Sequence, residues 1–130
     1  MPSIFTKIVN GEIPCYKIAE TENCLAFLDI NPLKRGHTLV IPKKEIDCFY
    51  DVEDDLLAEL MLLSKKVAIA IKKAVPCRRV GLTIIGIEVA HTHFHLIPLD
   101  KVSDMNFANE KLKLTPEEFK QVQEEIIRHL

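Results

Sequence analysis

The sequence predicts an α+β fold in which one long helix and shorter terminal helices accompany an antiparallel five-stranded sheet. Five short apolar runs are bounded by Gly, Pro, Asn or Asp, which is typical of strands. Residues 53–75 instead repeat apolar side chains at steps of three and four, which is typical of an amphipathic helix. Strands, one long helix, further strands and a helix at each end are the order expected of an α+β domain.

Length and composition restrict the class of protein. At 130 residues, 48% of them hydrophobic, the chain is predicted to form a single domain over residues 1–130. A formal charge of −2 gives no basic footprint for a nucleic acid polymer. No apolar run is long enough to span a membrane, and no signal peptide is visible at the N-terminus. We therefore expect no membrane association. The four cysteines include no Cys-x-x-Cys pair, so we expect free thiols and a reducing compartment, which predicts a cytoplasmic location.

The first half of the chain is predicted to hold one short helix and three strands. Ser3 can cap a helix over 3–9, which Asn10-Gly11 ends. Apolar runs over 15–20 and 23–30 read as two strands joined by a tight turn. A third strand is expected over 37–43.

The second half is predicted to begin with the long helix, which Pro76 closes. The elements expected after it are a strand over 79–85, a connection over 86–90, a strand over 91–98 that Pro98 ends, one helical turn over 104–107, and a helix over 115–130. Thr115-Pro116-Glu117-Glu118 is a capping box with Pro at the first helical position.

Three of the five histidines, His91, His93 and His95, alternate with Thr92, Phe94 and Leu96. This is the period of a strand with one polar and one apolar face. The three imidazoles are therefore expected in one row, while the aromatic and leucine side chains between them enter the core.

A row of imidazoles has two chemical interpretations. A neutral imidazole has one nitrogen that donates and one that accepts, so a central ring oriented by its neighbours can attack an electrophile such as phosphorus. Three histidines can also bind zinc with a water as fourth ligand. Side chains in a line along a straight strand suit tetrahedral coordination poorly, so the nucleophile is favoured and the metal site remains the less favoured alternative.

The stretch His91 to Ile97 resembles the signature of the histidine triad (HIT) family of nucleotide hydrolases and transferases, His-φ-His-φ-His-φ-φ. A third histidine at position 95 favours the hydrolase side, because the transferase branch carries Gln there. Three further blocks are similar to the family, in particular to its Hint-like branch: Phe-x-x-Ile-x-x-Gly-Glu-Ile-Pro over 5–14, Phe-Leu-Asp-Ile-Asn-Pro over 27–32, and Gly-His-Thr-Leu-Val-Ile-Pro-Lys over 36–43. The core resemblance covers residues 3–98, and 115–130 form a C-terminal helical extension.

The resemblance implies a role for each matching position. His93 is the expected nucleophile, His95 and His37 assist the leaving group and phosphate oxygens, and the backbone of His91 fixes the tautomer of His93. Asp29 is the expected acceptor for the ribose hydroxyls. The residues expected to contact the nucleotide are Ile4, Phe5, Ile8, Phe27, Asp29, Ile30, Leu39, Glu88 and Val89.

The connection before the triad departs from the family's commonest pattern. Many members carry Asn, Gly and Gly-Gln there to hold the α-phosphate, whereas this loop is several residues shorter and has Ile87 where Gln is usual. Backbone N–H groups of Glu88 and Val89 are the donors expected to replace them.

The resemblance implies hydrolysis of a purine nucleotide, such as an AMP phosphoramidate or a dinucleoside polyphosphate, with no cofactor. The alternative function is a purine-nucleotide sensor or scaffold with little or no turnover. A homodimer joining two five-stranded sheets is expected, since the long helix and strand 79–85 offer more apolar surface than one thin sheet hides. No metal is expected, because Ser3, Thr6 and Glu45 stand where some relatives have zinc ligands.

Overall fold

A computed structural model describes residues 1–130 and contains one antiparallel sheet with three α-helices. The helices are α1 (Ile4–Val9), α2 (Asp54–Ala74) and α3 (Pro116–Arg128), and the strands are β1 (Lys17–Glu20), β2 (Cys24–Leu28), β3 (Thr38–Pro42), β4 (Arg79–Ile84) and β5 (Phe94–Leu99). Single turns of 3₁₀ helix lie at Phe49–Asp51 and Val102–Met105. The strand order is β1-β2-β3-β5-β4, so the predicted α+β class with a five-stranded antiparallel sheet is confirmed.

The two faces of the sheet are covered by different helices. On one face α2 and α3 pack over the larger core, which includes Ala26, Val40 and Phe94. On the other face α1 places Phe5 in a small cluster with Leu25, Phe27, Leu39 and Ile41. Because β2 and β3 are covered on both faces, every residue in them is buried, although neighbouring side chains point in opposite directions.

The pairing register places three side chains in one row across the α1 face. Phe27 of β2 lies opposite Leu39 of β3, and Leu39 lies opposite His95 of β5. Phe94 and Leu96 point to the α2 face and are buried, as predicted from the alternation. The α1 face of the central strands is therefore the surface on which a site can be built.

The prediction of one straight strand over 91–98 is wrong at both ends. Strand β5 begins only at Phe94, so His91 and His93 precede it. Pro42 lacks the N–H needed to continue the ladder, and the N–H of Thr92 donates instead to the carbonyl oxygen of Ile46 at 2.7 Å. At the other end Pro98 remains paired with Val80, and β5 continues to Leu99.

The other predicted boundaries need small corrections. Strands β1 and β2 are shorter than 15–20 and 23–30, and the helical turn after β5 lies at Val102–Met105 rather than 104–107. Helix α1 has the predicted cap, since the Ser3 hydroxyl accepts from the N–H of Thr6 at 3.0 Å. None of the helices combines the length and apolarity that crossing a bilayer demands.

Candidate active site

A cleft of about 460 Å³ opens between α1, the sheet and the loop after β4. His93 and His95 reach its wall, whereas His37 and His91 do not line it. Those two rings are almost completely buried, at 1% and 0% exposure. Nine residues were predicted to contact a nucleotide, and all of them line this one cleft: Ile4, Phe5, Ile8, Phe27, Asp29, Ile30, Leu39, Glu88 and Val89.

The apolar end of the cleft is formed by aromatic and aliphatic side chains. The Phe5 ring lies edge-on to Phe27, with centroids 5.8 Å apart, and edge-on to His93, with centroids 5.0 Å apart. Ile8 and Leu39 also line this end. A flat, uncharged ring is the kind of ligand group that such a slot accommodates.

The hydrogen bonds around His93 fix its tautomer. Its Nδ1 lies 2.7 Å from the carbonyl oxygen of His91. A carbonyl oxygen can only accept, so Nδ1 carries the proton and donates. The Nε2 atom of His93 therefore keeps a lone pair.

His91 is held from behind by the N-terminal segment. Its Nε2–H donates to the carbonyl oxygen of Pro42 at 2.8 Å, so its Nδ1 accepts from the Ser3 hydroxyl at 2.7 Å. Burial lowers the pKa of His91, which keeps the ring neutral. Ser3, His91 and His93, together with the carbonyl of Pro42, are called the His93 network below.

Ser3, Thr6 and Glu45, the side chains on which the expectation of no metal rested, form a hydrogen-bonded group. Glu45 accepts from the Ser3 N–H and from the Thr6 hydroxyl, both at 2.6 Å. These bonds lower the pKa of Glu45, the one from Thr6 having the largest effect. The group therefore serves to hold α1 and His91.

His95 is held by a second set of contacts, called the His95 network, which consists of Leu33, His37 and His95. The Leu33 N–H donates to Nδ1 of His37 at 3.0 Å, so the proton of His37 lies on Nε2. That Nε2 lies 3.0 Å from Nδ1 of His95 and donates to it. His95 is therefore left with its own proton on Nε2, the opposite tautomer from His93.

Burial keeps both rings of the His95 network uncharged. It lowers the pKa of His37 to about 3 and, with a smaller contribution from the neighbouring His93, lowers the pKa of His95 to about 4. At neutral pH His95 is thus a hydrogen-bond donor without a full positive charge.

Asp29 lies at the end of β2, between the cleft and His37. One carboxylate oxygen accepts from the N–H of Asn31 at 2.8 Å, and the other lies 3.6 Å from Nε2 of His37. Because His37 is neutral, this contact is not an ion pair. Burial raises the pKa of Asp29, while the bond from Asn31 opposes the rise. The second oxygen remains available to a donor in the cleft.

Asp29, His37 and His95 are also the three side chains close enough to share a metal ion, with ligand atoms within 4.8 Å of one another. A metal would need the lone pair of His37 Nε2, but that atom carries a proton because Nδ1 accepts from Leu33. Metal binding would therefore break the Leu33 hydrogen bond or demand an imidazolate. The protons and lone pairs of these three side chains therefore suit a hydrogen-bonded group better than a set of metal ligands.

Sequence reasoning missed several residues that line the cleft: Ile13, Pro14, Cys15, Leu28, Asn31, Ile85, Gly86, Ile87, Phe107 and Lys111. Most are sequence neighbours of predicted positions. Phe107 and Lys111 are different, because they come from the segment after β5, for which only one helical turn over 104–107 was predicted. The Phe107 ring packs edge-on against His95 with centroids 4.8 Å apart.

Comparisons with known proteins agree with this geometry. The sequence profile described as the HIT domain matches residues 10–102. The chain belongs to the HIT family of nucleotide hydrolases. The match contains three of the four blocks that resemble the family in full: 27–32, 36–43 and the triad at 91–97.

Individual relatives cover almost the whole chain. An uncharacterized HIT-like protein of Borreliella burgdorferi is 40% identical over 95% of this chain and 94% of its own length. The adenosine 5′-monophosphoramidase hnt1 of Schizosaccharomyces pombe is also 40% identical, over 97% of this chain and 96% of its own length. The crystal structure of a Hit-like protein from Bartonella henselae superposes with a TM-score of 0.85 at 30% identity, covering 98% of this chain and 96% of the other. The similarity therefore extends beyond the motifs to the C-terminal helix.

Proposed function

We propose that this HIT protein hydrolyses a purine nucleoside 5′-phosphoramidate or a related nucleotide at the α-phosphorus, through a covalent intermediate on His93. The observation that carries the proposal is the pair of opposite tautomers in one cleft. His93 has a lone pair on its Nε2 atom, whereas the neighbouring His95 carries a proton on its own Nε2 atom. A nucleophile beside a neutral donor is the arrangement that attack on a phosphate diester or amidate requires.

In the first step Nε2 of His93 forms a bond to the α-phosphorus. The bond from phosphorus to the leaving group breaks with its electron pair, and the leaving group takes a proton from solvent. In the second step a water oxygen bonds to phosphorus and the water gives up a proton to solvent. The P–N bond breaks with its electron pair returning to Nε2 of His93, and the nucleoside monophosphate is released. His95 donates a hydrogen bond to a phosphate oxygen in both steps, which stabilises the charge that develops there.

The rest of the cleft supports a nucleotide as the substrate. The apolar slot between Phe5, Phe27 and Leu39 accepts a base, and the free oxygen of Asp29 accepts from ribose hydroxyls. The backbone of Glu88 and Val89 offers N–H groups to the α-phosphate. The Schizosaccharomyces pombe relative is named an adenosine 5′-monophosphoramidase, so the first substrate to assay is an AMP phosphoramidate, which has adenine as its base and an amine as its leaving group.

The experiment that tests the proposal is a rapid-quench reaction with an AMP phosphoramidate. We expect an acid-labile nucleotide bound at one per subunit in the wild type and absent in His93→Ala. The matched control is His129→Ala, because His129 is exposed at the end of α3 and does not line the cleft. If His93→Ala accumulates the same adduct, His93 is not the nucleophile.

A nucleotide sensor without turnover is favoured by one observation, the loop over 85–89. It supplies no side-chain donor to phosphate, and both Ile87 and Glu88 are exposed. Tight AMP binding with no measurable hydrolysis of any AMP phosphoramidate would support the sensor and overturn the hydrolase.

We also propose that the protein forms a homodimer through α2 and β4. Strand β4 is at the edge of the sheet, and Leu82 on it is 38% exposed. On α2, Leu62 and Ile69 are 67% and 48% exposed. Sedimentation should give a dimer mass for the wild type and for Ile127→Asp, an exposed position on α3, but a monomer mass for Leu82→Asp. A monomeric wild type at micromolar concentration would contradict the proposal.

A further inference from the structure

Residues 106–112, called the strap below, follow β5 and lie beyond the stretch 10–102 that matches the HIT domain. Hydrogen bonds give the strap a defined conformation. The side-chain amide of Asn109 donates to the carbonyl oxygen of Ser103 at 2.8 Å, and the ammonium group of Lys111 donates to the carbonyl oxygens of Phe107 and Asn109. These bonds fix the backbone on which the Phe107 ring is mounted.

The end of the strap is bonded to the peptide group between Pro32 and Leu33. The Leu112 N–H donates to the carbonyl oxygen of Pro32 at 2.8 Å. The N–H of the same peptide group, that of Leu33, donates to Nδ1 of His37 at 3.0 Å. Hydrogen bonds at the two ends of one peptide group polarise it and strengthen each other. The strap is therefore joined to the group that sets the tautomers of the His95 network.

The Phe107 ring lies at the other end of that network. It packs edge-on against His95, with centroids 4.8 Å apart, and edge-on against His37, with centroids 6.2 Å apart. It thus contacts both partners of the hydrogen bond between Nε2 of His37 and Nδ1 of His95. Phe107 also lines the cleft, and His95 is only 7% exposed. An apolar ring in contact with both partners leaves little room for water beside this bond.

The orientation of His95 depends on such a cover. One hydrogen bond, at Nδ1, holds the ring, and a histidine ring has two broad orientations about its last side-chain bond. The flipped orientation would put a carbon in the place of Nδ1 and turn the Nε2–H away from its present direction. Water beside the ring would make the flip easier, because it could accept from the His37 N–H in place of Nδ1. Phe107 occupies the space that this water would need.

Building on the proposed hydrolase function, we propose that Phe107 is a positioning residue, which holds His95 in the ring orientation that lets its Nε2–H donate to a phosphate oxygen. It acts through His95 and does not contact the reacting atoms. His93 has a comparable neighbour, since the Phe5 ring lies edge-on to it with centroids 5.0 Å apart. Each of the two cleft histidines is therefore packed against one phenylalanine, from α1 in one case and from the strap in the other.

The first test measures kcat for an AMP phosphoramidate in Phe107→Ala. We expect a fall of about tenfold, because the His95 ring would then spend roughly nine tenths of its time in unproductive orientations. Phe107→Leu keeps apolar bulk beside the ring and should retain most of the wild-type kcat. The matched control is Phe49→Ala, an exposed phenylalanine outside the cleft, which should leave kcat unchanged. An unchanged kcat in Phe107→Ala would overturn the proposal.

A double variant shows whether Phe107 acts through His95. Adding Phe107→Ala to His95→Ala should lower kcat no further, because the ring that Phe107 positions is already gone. The affinity of Phe107→Ala for AMP should change less than about twofold, since the base slot and Asp29 remain. A further fall in the double variant, or a loss of AMP affinity as large as the loss of kcat, would mean that Phe107 shapes the cleft itself, and the positioning role would be wrong.

A spectroscopic measurement separates this inference from the proposed function. Proton–nitrogen correlation NMR of the histidine rings reads their tautomers without any substrate. In Phe107→Ala the His95 nitrogens should shift toward the average of the two tautomers, while the His93 nitrogens keep their wild-type shifts. If the wild type hydrolyses no AMP phosphoramidate, the hydrolase proposal fails, but this comparison still tests Phe107. A single, unchanged tautomer of His95 in Phe107→Ala would overturn the inference.

Discussion

The His93 and His95 networks use the same side chain to opposite chemical effect. The His93 network ends on a backbone carbonyl, and the ring in the cleft is left with a lone pair. The His95 network begins at a backbone N–H, that of Leu33, and the ring in the cleft is left with a proton. The difference shows that a backbone group, the His91 carbonyl in one network and the Leu33 N–H in the other, decides which ring keeps a lone pair on Nε2 and which keeps a proton there.

The largest expected effect comes from removing the lone pair. His93→Ala should lower kcat for an AMP phosphoramidate by about four orders of magnitude or more, as for other lost nucleophiles. AMP should still bind within a few fold, since Phe5, Phe27 and Asp29 remain. Calorimetric titration measures the affinity for AMP. A loss of affinity as large as the loss of kcat would mean that the substitution damages the binding slot rather than removing a nucleophile.

Removing the donor should have an intermediate effect. His95→Ala leaves the nucleophile in place but takes away the Nε2–H, so we expect kcat to fall about 10²–10³-fold, as for one lost oxyanion donor. Steady-state kinetics on the same substrate give the value. A loss as large as that of His93→Ala would show that the two rings do not have separate roles.

The pH dependence of stability should report His37. In the folded protein its pKa is lowered to about 3 by burial, so below its ordinary value of 6.5 the unfolded chain binds a proton that the folded protein does not. The melting temperature should therefore fall as the pH drops from 6.5 to 5, a range above the usual titration of carboxylates. His37→Phe should remove only part of this slope, because the pKa values of His95 and His91 are lowered as well, and His129→Ala should remove none of it. An equal slope in all three proteins would contradict the neutral His37.

The smallest expected effect lies at the outer end of the His93 network. Ser3→Ala removes the donor to His91 but leaves the bond from His91 to the Pro42 carbonyl, so we expect kcat to fall only a few fold. It also removes a helix cap, which costs about 1 kcal/mol of stability. Thr115→Ala removes the cap of α3 without touching the site and is the matched control. Equal activities in the two variants would show that Ser3 acts only as a cap.

Most of the fold could be predicted because its signals are local. The period of two in the strands, the spacing of three and four in α2, and the capping box at Thr115 all lie within short windows of sequence. The residues of the cleft came from the resemblance, and nine of them do lie together.

What sequence reasoning missed depends on contacts between distant parts of the chain. The late start of β5 follows from Thr92 bonding to Ile46, and the tautomer of His95 follows from Leu33. Neither contact leaves a periodic signal. Lys111 lies in an irregular segment, where a single cation gives no indication of which way it points.

Gly36 carries a consequence for how related sequences are recognised. Its φ of +98° is unfavourable for any residue with a side chain, and an added Cβ would lie 3.0 Å from Cγ2 of Val75. Its carbonyl also accepts from the Thr38 hydroxyl at 2.8 Å, on the far side of His37. We expect a sequence that keeps all four histidines but replaces this glycine to displace His37 from the Leu33 N–H, which sets the tautomer of His95. A search motif that includes the glycine before His37 should therefore select chains with this hydrogen-bonded arrangement better than the histidines alone.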